Sequence, residues 1–259
     1  MTNRTIWHGD TARAFRPVKA GVDRLPPGKD MPRHRHFESY VTLVLDGAFE
    51  QVSYAGRLKI EAGDVLINPT FDCHSNRMLS RGLALLRLPW REESGVGGVY
   101  RSCDVEDLRR IAERDVQEAA ERLAAEIAER ELTAPVMRDA CDELAVALRT
   151  SPWLRIAHWS EMRGLTREHI SRAFRRVFGV SPARFRGELL AREAWSNVVA
   201  TTVPLSKIAM DLGYSDQSHM SRCVKAFTGH PPARWRSRSA PSKSAGDFQV
   251  ALPILHTMG

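Results

Sequence analysis

The sequence has few cysteines and no long apolar runs, and both absences restrict the class of protein. Its four cysteines, Cys73, Cys103, Cys141 and Cys223, are widely scattered and include no CxxC pair. This argues against a disulfide framework and favours free buried thiols in a reducing compartment. No apolar stretch approaches the length of a membrane span, and the amino terminus lacks the apolar segment of a signal peptide. We therefore expect a soluble, cytoplasmic protein with no membrane partner.

Positive charge is in excess, and that excess is confined to one part of the chain. The net charge is +7 over 259 residues, which is long enough for two domains. Residues 135–238 hold 17 Lys and Arg against 9 Asp and Glu, whereas the remainder holds 21 against 22. A basic half joined to a near-neutral half suggests a polyanion-binding domain attached to something else. Acidic proteins or anionic lipid would also explain the charge.

Residues 1–90 show the pattern of short β-strands separated by turn signals. Asp46-Gly47 lies between two extended runs and favours a tight hairpin, and Ala62–Asp64 repeats the scheme. A further apolar run ends at Pro89. We predict a small β-barrel or sandwich here, followed by a loop over residues 91–102.

Residues 104–130 change to a strongly helical pattern, within a linker segment that we place at 91–134. Leu108, Ile111, Leu123 and Ile127 supply an apolar stripe among dense charges. The pattern is compatible with one helix or two. The stripe suits either a helix packed on the barrel or a dimer seam, and the sequence leaves both open.

A series of closely spaced helices is predicted over residues 135–238. Thr166 and Ser215 are the expected amino-terminal caps of two of them, and Gly179 and Gly229 the expected left-handed ends. The predicted segments are 136–148, 154–163, 166–178, 183–200, 205–212 and 216–227. The tail at 239–259 is rich in Ser, Ala and Pro and is expected to be largely disordered.

Two of these helices have the same pattern of residues. Apolar side chains recur at spacings of three and four, at Ile170, Phe174 and Phe178 and again at Met220, Val224 and Phe227, with polar side chains between them. The flanking sequences align as MRGLTREHISRAFRRVFGVSPARF and MDLGYSDQSHMSRCVKAFTGHPPARW. This internal repeat, with a period of about fifty residues, indicates one helix-turn-helix per copy. A helix with an apolar face and guanidinium, amide and hydroxyl groups opposite suits the DNA major groove.

The stretches SRAFRRVFGVSPARF and IAMDLGYSDQSHMSR closely resemble the signature of the AraC/XylS family of transcription regulators. The resemblance implies two recognition helices, 166–178 and 216–227, joined by the linker helix 183–200. One monomer would then read two major-groove segments roughly 34 Å apart. The base-edge candidates are Glu168, Ser171, Arg172, Gln217, Ser218, His219 and Arg222. The phosphate candidates are Arg167, Arg175, Arg176 and Lys225. Glu168 could instead pair with Arg172 one turn later.

The segment from Gly28 to His36 and the segment from Gly63 to His74 resemble the two motifs of a cupin barrel. His34 and His36 alternate onto one face of a strand, and the turn before His74 could bring a second strand alongside. Three converging imidazoles make a plausible divalent-metal site. Tyr40 stands where that motif usually has a glutamate, although Glu38 could substitute. The alternatives are a His-lined small-molecule pocket or hydrogen-bonded barrel histidines.

The fold class predicted is therefore α+β: a cupin-like β-barrel followed by an all-α domain with two helix-turn-helix units. We expect a DNA-binding transcription regulator that is not an enzyme and whose barrel binds an effector or self-associates. The expected partners are double-stranded DNA, a small-molecule effector, RNA polymerase and a second copy of the chain in a homodimer. The competing hypothesis is a cupin metalloenzyme that uses His34, His36 and His74 and carries a DNA-binding appendage. An architectural DNA binder is a third.

Overall fold

The structure, a computed structural model, describes residues 19–90, 97–101, 104–128 and 137–239. Cys103, the break predicted at 132–135 and the tail from residue 240 lie outside these residues. The chain divides into two compact units, one ending at Leu189 and the other beginning at Leu190. The predicted fold class is confirmed, since an antiparallel sheet domain precedes a helical domain.

The described strands pair into two antiparallel sheets rather than into one closed ring. The five-stranded sheet has the order β1-β8-β3-β6-β9, and the four-stranded sheet has the order β2-β7-β4-β5. The strands are β1 (Gly21–Leu25), β2 (Met31–His34), β3 (Tyr40–Asp46), β4 (Ala48–Ser53), β5 (Gly56–Glu61), β6 (Asp64–Asn68), β7 (His74–Met78), β8 (Leu83–Pro89) and β9 (Gly98–Arg101). We call these strands the sheet domain. β9 lies inside the segment predicted as a loop, so that prediction is wrong for residues 98–101.

The tight hairpin predicted at Asp46-Gly47 is wrong, because the chain changes sheet there. β3 pairs with β6 and β8, whereas β4 pairs with β5 and β7. The turn at Gly63 likewise carries the chain from β5 back to the other sheet. The two crossings are hydrogen-bonded together, since the N–H of Ala62 donates to the Gly47 carbonyl at 3.1 Å. The turn residues were identified, but they join sheets instead of neighbouring strands.

The hairpin that does form joins β4 to β5 through Tyr54 and Ala55. Ser53 pairs with Gly56 directly across this two-residue loop. The sequence Ser-Tyr-Ala-Gly lacks the Asn-Gly or Asp-Gly signal, which explains why periodicity alone did not identify it.

Two apolar cores lie on opposite faces of the five-stranded sheet. The core between the sheets includes Val44, Phe49 and Ile60, and the core on the outer face includes Val41, Leu43 and residues of two helices. These helices are α1 (Val105–Ala112) and α2 (Val116–Ile127). The alternating apolar residues of β3, β6 and β8 therefore serve both cores.

The helical segment 104–130 forms two helices, and its apolar stripe faces the sheet. Leu108 and Leu123 are buried in the outer core, Ile127 is 5% exposed, and Ile111 packs against the same cluster. The stripe packs on the sheet domain, as one of the two alternatives predicted. The other alternative, a dimer interface formed by these residues, is wrong because the sheet already covers them.

The helical region begins later and ends later than predicted. Its helices are α3 (Ala140–Thr150), α4 (Ile156–Glu161), α5 (Arg167–Phe178), α6 (Pro182–Ala200), α7 (Leu205–Asp211), α8 (Gln217–Thr228) and α9 (Pro232–Ser239). The sequence missed α9, which begins at Pro232 just as α6 begins at Pro182, three residues after the glycine in each repeat. Proline is favoured at the first position of a helix, so Pro231-Pro232 marks a start rather than a stop.

Each helix-turn-helix unit has its own core. In the first compact unit, Phe174, Phe178 and Phe185 are fully buried and in ring contact, with centroids 4.4–5.3 Å apart. In the second, Val198, Met220 and Val224 are buried in one cluster. Among the described helices, none combines the length and apolar character needed to cross a membrane.

Replacing Gly47 with alanine should destabilise the sheet domain more than the same change at Gly28. Both have positive φ, +85° and +69°, so both substitutions strain the backbone. A Cβ at Gly47 would lie 2.3 Å from the Gly82 carbonyl oxygen, whereas at Gly28 no described atom lies within 4 Å. We expect Gly47→Ala to cost about 1–3 kcal/mol more than Gly28→Ala in urea unfolding. Equal costs would show that the crossing is not sterically tight.

Candidate DNA-binding surface and imidazole cavity

The two candidate recognition helices, α5 and α8, have matching ends. The N–H of His169 donates to Thr166 Oγ1 at 3.1 Å, and the N–H of His219 donates to Asp216 Oδ1 at 2.7 Å. Both helices have twelve residues and end at a glycine with positive φ. The caps predicted at Thr166, Gly179 and Gly229 are confirmed. The cap predicted at Ser215 is wrong, because the carboxylate of Asp216 accepts from the backbone N–H of His219 instead.

The turns before these helices are also alike. Gly164 and Gly213 have φ of 65° and 66°. The residue after each donates its N–H to a carbonyl five positions earlier, at 2.9 Å in both units. This is the Schellman pattern that ends a helix and reverses the chain. The repeat in the sequence is therefore a repeat in local structure.

The polar residues proposed to contact DNA lie mainly on the exposed sides of these helices. Within the described part of the chain, neither Glu168 nor Arg172 makes an ion pair, so the helix pair considered between them is not formed. His219 is half-buried, and its Nδ1 lies 3.1 Å from Ser215 Oγ. Ser171 is half-buried as well. The exposed candidates are Arg167, Glu168, Arg172, Arg175, Arg176, Gln217, Ser218, Arg222 and Lys225.

The three histidines predicted to converge do so inside the sheet domain. The ring centroids of His34 and His74 are 4.5 Å apart, those of His34 and His36 4.9 Å, and those of His36 and His74 5.4 Å. One nitrogen from each lies within 4.8 Å of the others, and all three residues are buried. His34 and His74 are partners across β2 and β7, which explains how the strands bring the rings together.

His34 and His36 line a cavity of about 250 Å³ whose walls include polar and apolar residues. Buried Thr42, Gln51 and Asn68 are among the polar ones. The sequence reasoning missed these three, and the signal was their polarity at inward positions of strands. Leu66, Leu83 and Leu85 are among the apolar ones. The cavity therefore combines hydrogen-bonding groups with hydrocarbon, as small-molecule sites do.

Hydrogen bonds and burial set the protonation of the cluster. His34 Nδ1 lies 2.8 Å from the Pro32 carbonyl, so this nitrogen carries the proton and donates to it. Burial, reinforced by the two neighbouring imidazoles, holds the pKa of His74 well below its ordinary value. His74 is consequently neutral at physiological pH, the state in which imidazole binds metal.

Tyr40 occupies the position of the expected carboxylate. Its hydroxyl lies 3.4 Å from His74 Nε2, and burial raises its pKa, so it stays a neutral phenol. Glu38 is exposed and is not part of the cluster, so the suggested substitution by Glu38 is wrong. Phe71 is fully buried with φ of 59°. Its N–H donates to the His36 carbonyl at 3.0 Å.

A buried ion pair, not anticipated from the sequence, lies beside the cavity. Arg33 Nη2 donates to Glu188 Oε2 at 2.8 Å, and the side chains are 12% and 2% exposed. The Tyr54 hydroxyl donates to the same carboxylate oxygen at 3.0 Å. Burial acts to lower the pKa of Arg33, but the Glu188 carboxylate outweighs it, and the pKa lies above its ordinary value. Arg33 also donates to the Phe178 carbonyl at 3.3 Å.

Comparison with known proteins gives the family of the helical region. Residues 159–238 match the sequence model of a family described as a helix-turn-helix domain. Over 101 residues the chain is 28% identical to the arabinose operon regulatory protein of Salmonella typhimurium, a match covering 39% of this chain and 36% of that protein. Residues 159–238 therefore carry a helix-turn-helix domain, and part of the chain is similar to an arabinose operon regulator. The chain spans about a third of the length of the curated relative.

The similarity to solved structures is weaker. Fatty-acid-bound ToxT of Vibrio cholerae strain SCE256 is 12% identical, with a TM-score of 0.38 over 83% of this chain and 93% of that chain. The C-terminal domain of AraT from Geobacillus stearothermophilus is 18% identical, with a TM-score of 0.38 over 42% and 92%. A probable AraC family regulator of Rhodopseudomonas palustris CGA009 is 21% identical, with a TM-score of 0.37 over 40% and 100%.

Removing the cap of α5 should weaken the first helix-turn-helix unit. Thr166→Ala leaves the N–H of His169 without its acceptor, and we expect a loss of about 1 kcal/mol in the free energy of unfolding. Thr166→Ser is the matched control because it keeps the hydroxyl. Urea unfolding followed by circular dichroism measures both. If the alanine and serine variants are equally stable, the cap does not stabilise this helix.

Proposed function

We propose that the protein is a sequence-specific DNA-binding transcription regulator. The observation that carries this is the pair of helix-turn-helix units with the same turns, caps and glycine ends, each presenting a polar face. All the excess positive charge of the chain lies in residues 135–238, where phosphates would be met. Residues 159–238 also match a helix-turn-helix family.

The two helices are proposed to contribute differently to DNA binding. Besides Arg172, the exposed face of α5 has the phosphate candidates Arg167, Arg175 and Arg176 against the single acidic residue Glu168, which favours strong salt dependence. The exposed face of α8 has amide and hydroxyl groups and less net charge than that of α5. Amide and hydroxyl groups can hydrogen-bond to base edges. In this proposal Arg172 and Arg222 are the guanine-reading residues, and Lys225 is a phosphate contact.

Substituting a base-reading arginine should change specificity as well as affinity. We expect Arg172→Ala and Arg222→Ala each to cost about 1–3 kcal/mol at one base pair and to relax the preference there. Lys225→Ala is the matched control, because losing a phosphate contact should weaken all sequences alike and reduce the salt slope by about 1. Binding to single-base variants of a duplex selected from random sequence measures both effects. Uniform weakening by the arginine variants would reassign them to phosphates.

The sheet domain is proposed to bind an effector in the imidazole cavity. Its volume and its mixture of polar and apolar lining residues suit a small molecule with a polar group and a hydrocarbon part. Binding would shift the population of DNA-competent molecules to the extent that affinity differs between the two states. A homodimer would need a surface other than the α1–α2 stripe, and contact with RNA polymerase completes the proposed set of partners.

A divalent metal is the second candidate occupant, and the donor set suits one. Three neutral imidazoles with an open fourth position are an established zinc ligand set. His74 Nδ1 is buried without a hydrogen-bond partner and lies 4.0 Å from the Asp72 carboxylate. Ligation of tetrahedral Zn²⁺ needs nitrogens about 3.3 Å apart, so the rings would have to close in from their present separation. His34, His36 and His74 would hold the ion, which would supply Lewis acidity.

Metal binding should depend on the buried histidines and not on exposed ones. We expect the dialysed protein to take up about one equivalent of Co²⁺ and to show the visible absorption of a four-coordinate ion. His36→Ala should abolish that absorption, whereas His158→Ala, at an exposed position of α4, should leave it unchanged. Equal binding by both variants would place the metal elsewhere. Turnover of a substrate by the cobalt- or iron-loaded protein would favour the enzyme hypothesis.

A further inference from the structure

We propose that Arg33 couples the imidazole cavity to the first helix-turn-helix unit. This inference deepens the proposed function, since it names the route by which cavity occupancy acts on a DNA-reading helix. It rests on three contacts of one guanidinium. Arg33 contacts Glu188 in α6, the carbonyl of Phe178 at the carboxyl end of α5, and the ring of Tyr54.

The first step is that Arg33 is joined directly to the cavity by the backbone. It immediately precedes His34 in β2, and His36 follows two residues later. His34 contacts both other imidazoles. His34 is the ring nearest to both others, so we expect an occupant that draws the three rings together to move His34 and, with it, the adjoining backbone of Arg33.

The second step is that Arg33 holds two elements of the helix-turn-helix unit together. Phe178 is the last residue of candidate recognition helix α5, and Glu188 lies in the second turn of α6. A carbonyl at the end of a helix carries partial negative charge, so a guanidinium is favoured there. Displacing Arg33 therefore releases the end of α5 and the start of α6 at the same time.

The third step is that the ion pair between Arg33 and Glu188 is strong, but one donor of the guanidinium has no acceptor. Glu188 is almost fully buried and accepts from Arg33, Tyr54 and Arg184. Arg33 Nε, by contrast, is buried without a hydrogen-bond partner. A buried donor without an acceptor costs free energy, so a rearrangement that supplies an acceptor for Arg33 Nε would be favoured.

A comparable ion pair joins the sheet domain to the helices but should not couple them to the cavity. Arg57, also 12% exposed, donates to Asp142 in α3 at 2.8 Å from both Nε and Nη2. It therefore ties the sheet domain to the same helical region. However, Arg57 lies in β5, at the opposite edge of the four-stranded sheet from β2, and does not line the cavity. Loss of Arg57 removes a docking contact without touching the proposed route.

The test measures amide hydrogen exchange of residues 175–189 in the full-length protein, with the cavity perturbed by His36→Ala. We expect this substitution to speed exchange there by about threefold or more, the size of a coupling between contacting groups. The same substitution should add nothing in an Arg33→Met background. It should keep its full effect in an Arg57→Met background. Near-ultraviolet circular dichroism confirms that each variant is folded.

Arg33→Met leaves Glu188 buried without its cation and risks unfolding the unit. The double variant Arg33→Met with Glu188→Gln removes both charges and keeps an acceptor for Tyr54, so the cycle can be completed in that background. The inference is overturned if His36→Ala leaves exchange unchanged, or if its effect persists without Arg33. Hydrogen exchange is measured without DNA. A failure of the protein to bind DNA would therefore contradict the proposed function without affecting the test of coupling through Arg33.

Discussion

An ionised side chain buried in protein needs a partner of opposite charge, and that constraint determines how the sheet domain holds the helices beside it. Glu188 is nearly inaccessible, and its carboxylate is compensated by Arg33 and by the Tyr54 hydroxyl. Arg57 and Asp142 repeat the arrangement at the other sheet edge. Apolar packing between Tyr54 and Phe185 lies beside the first pair. The first compact unit therefore includes both the sheets and a candidate recognition helix.

The imidazole cavity follows a different electrostatic rule. Burial favours neutral histidine at His74, within the imidazole cluster, and neutral phenol at Tyr40, which lines the cavity. Neutral groups keep their hydrogen-bonding capacity without the cost of a buried charge. Phe71, strained at positive φ, hydrogen-bonds the backbone next to these rings. Strain of this kind persists where the surrounding structure over-determines the backbone, and such places cluster at functional sites.

Much of this structure could be predicted from local sequence, and the remainder depends on contacts distant in the chain. The caps at Thr166 and Gly179 and the convergence of the histidines follow from spacing and turn chemistry. Asp46-Gly47 correctly marked a turn, but a turn motif does not encode which strand the chain joins next. The ion pair of Arg33 could not be predicted for a similar reason, because its partner lies 155 residues away. The outward-facing residues of α5 and α8 could be placed on a face, but which base each meets stays a prediction.

The repeat has a consequence for the shape of any recognised site. Its two copies share turns, caps and glycines, but α5 presents mainly arginines whereas α8 presents a mixture of amide, hydroxyl and basic groups. Symmetric dimers read palindromes because their two halves are identical. Two unlike helices within one chain, by contrast, are not related by two-fold symmetry. Under the proposed function the DNA site would therefore have polarity, and inverting it relative to a gene would present the opposite side of this protein to a protein bound next to it.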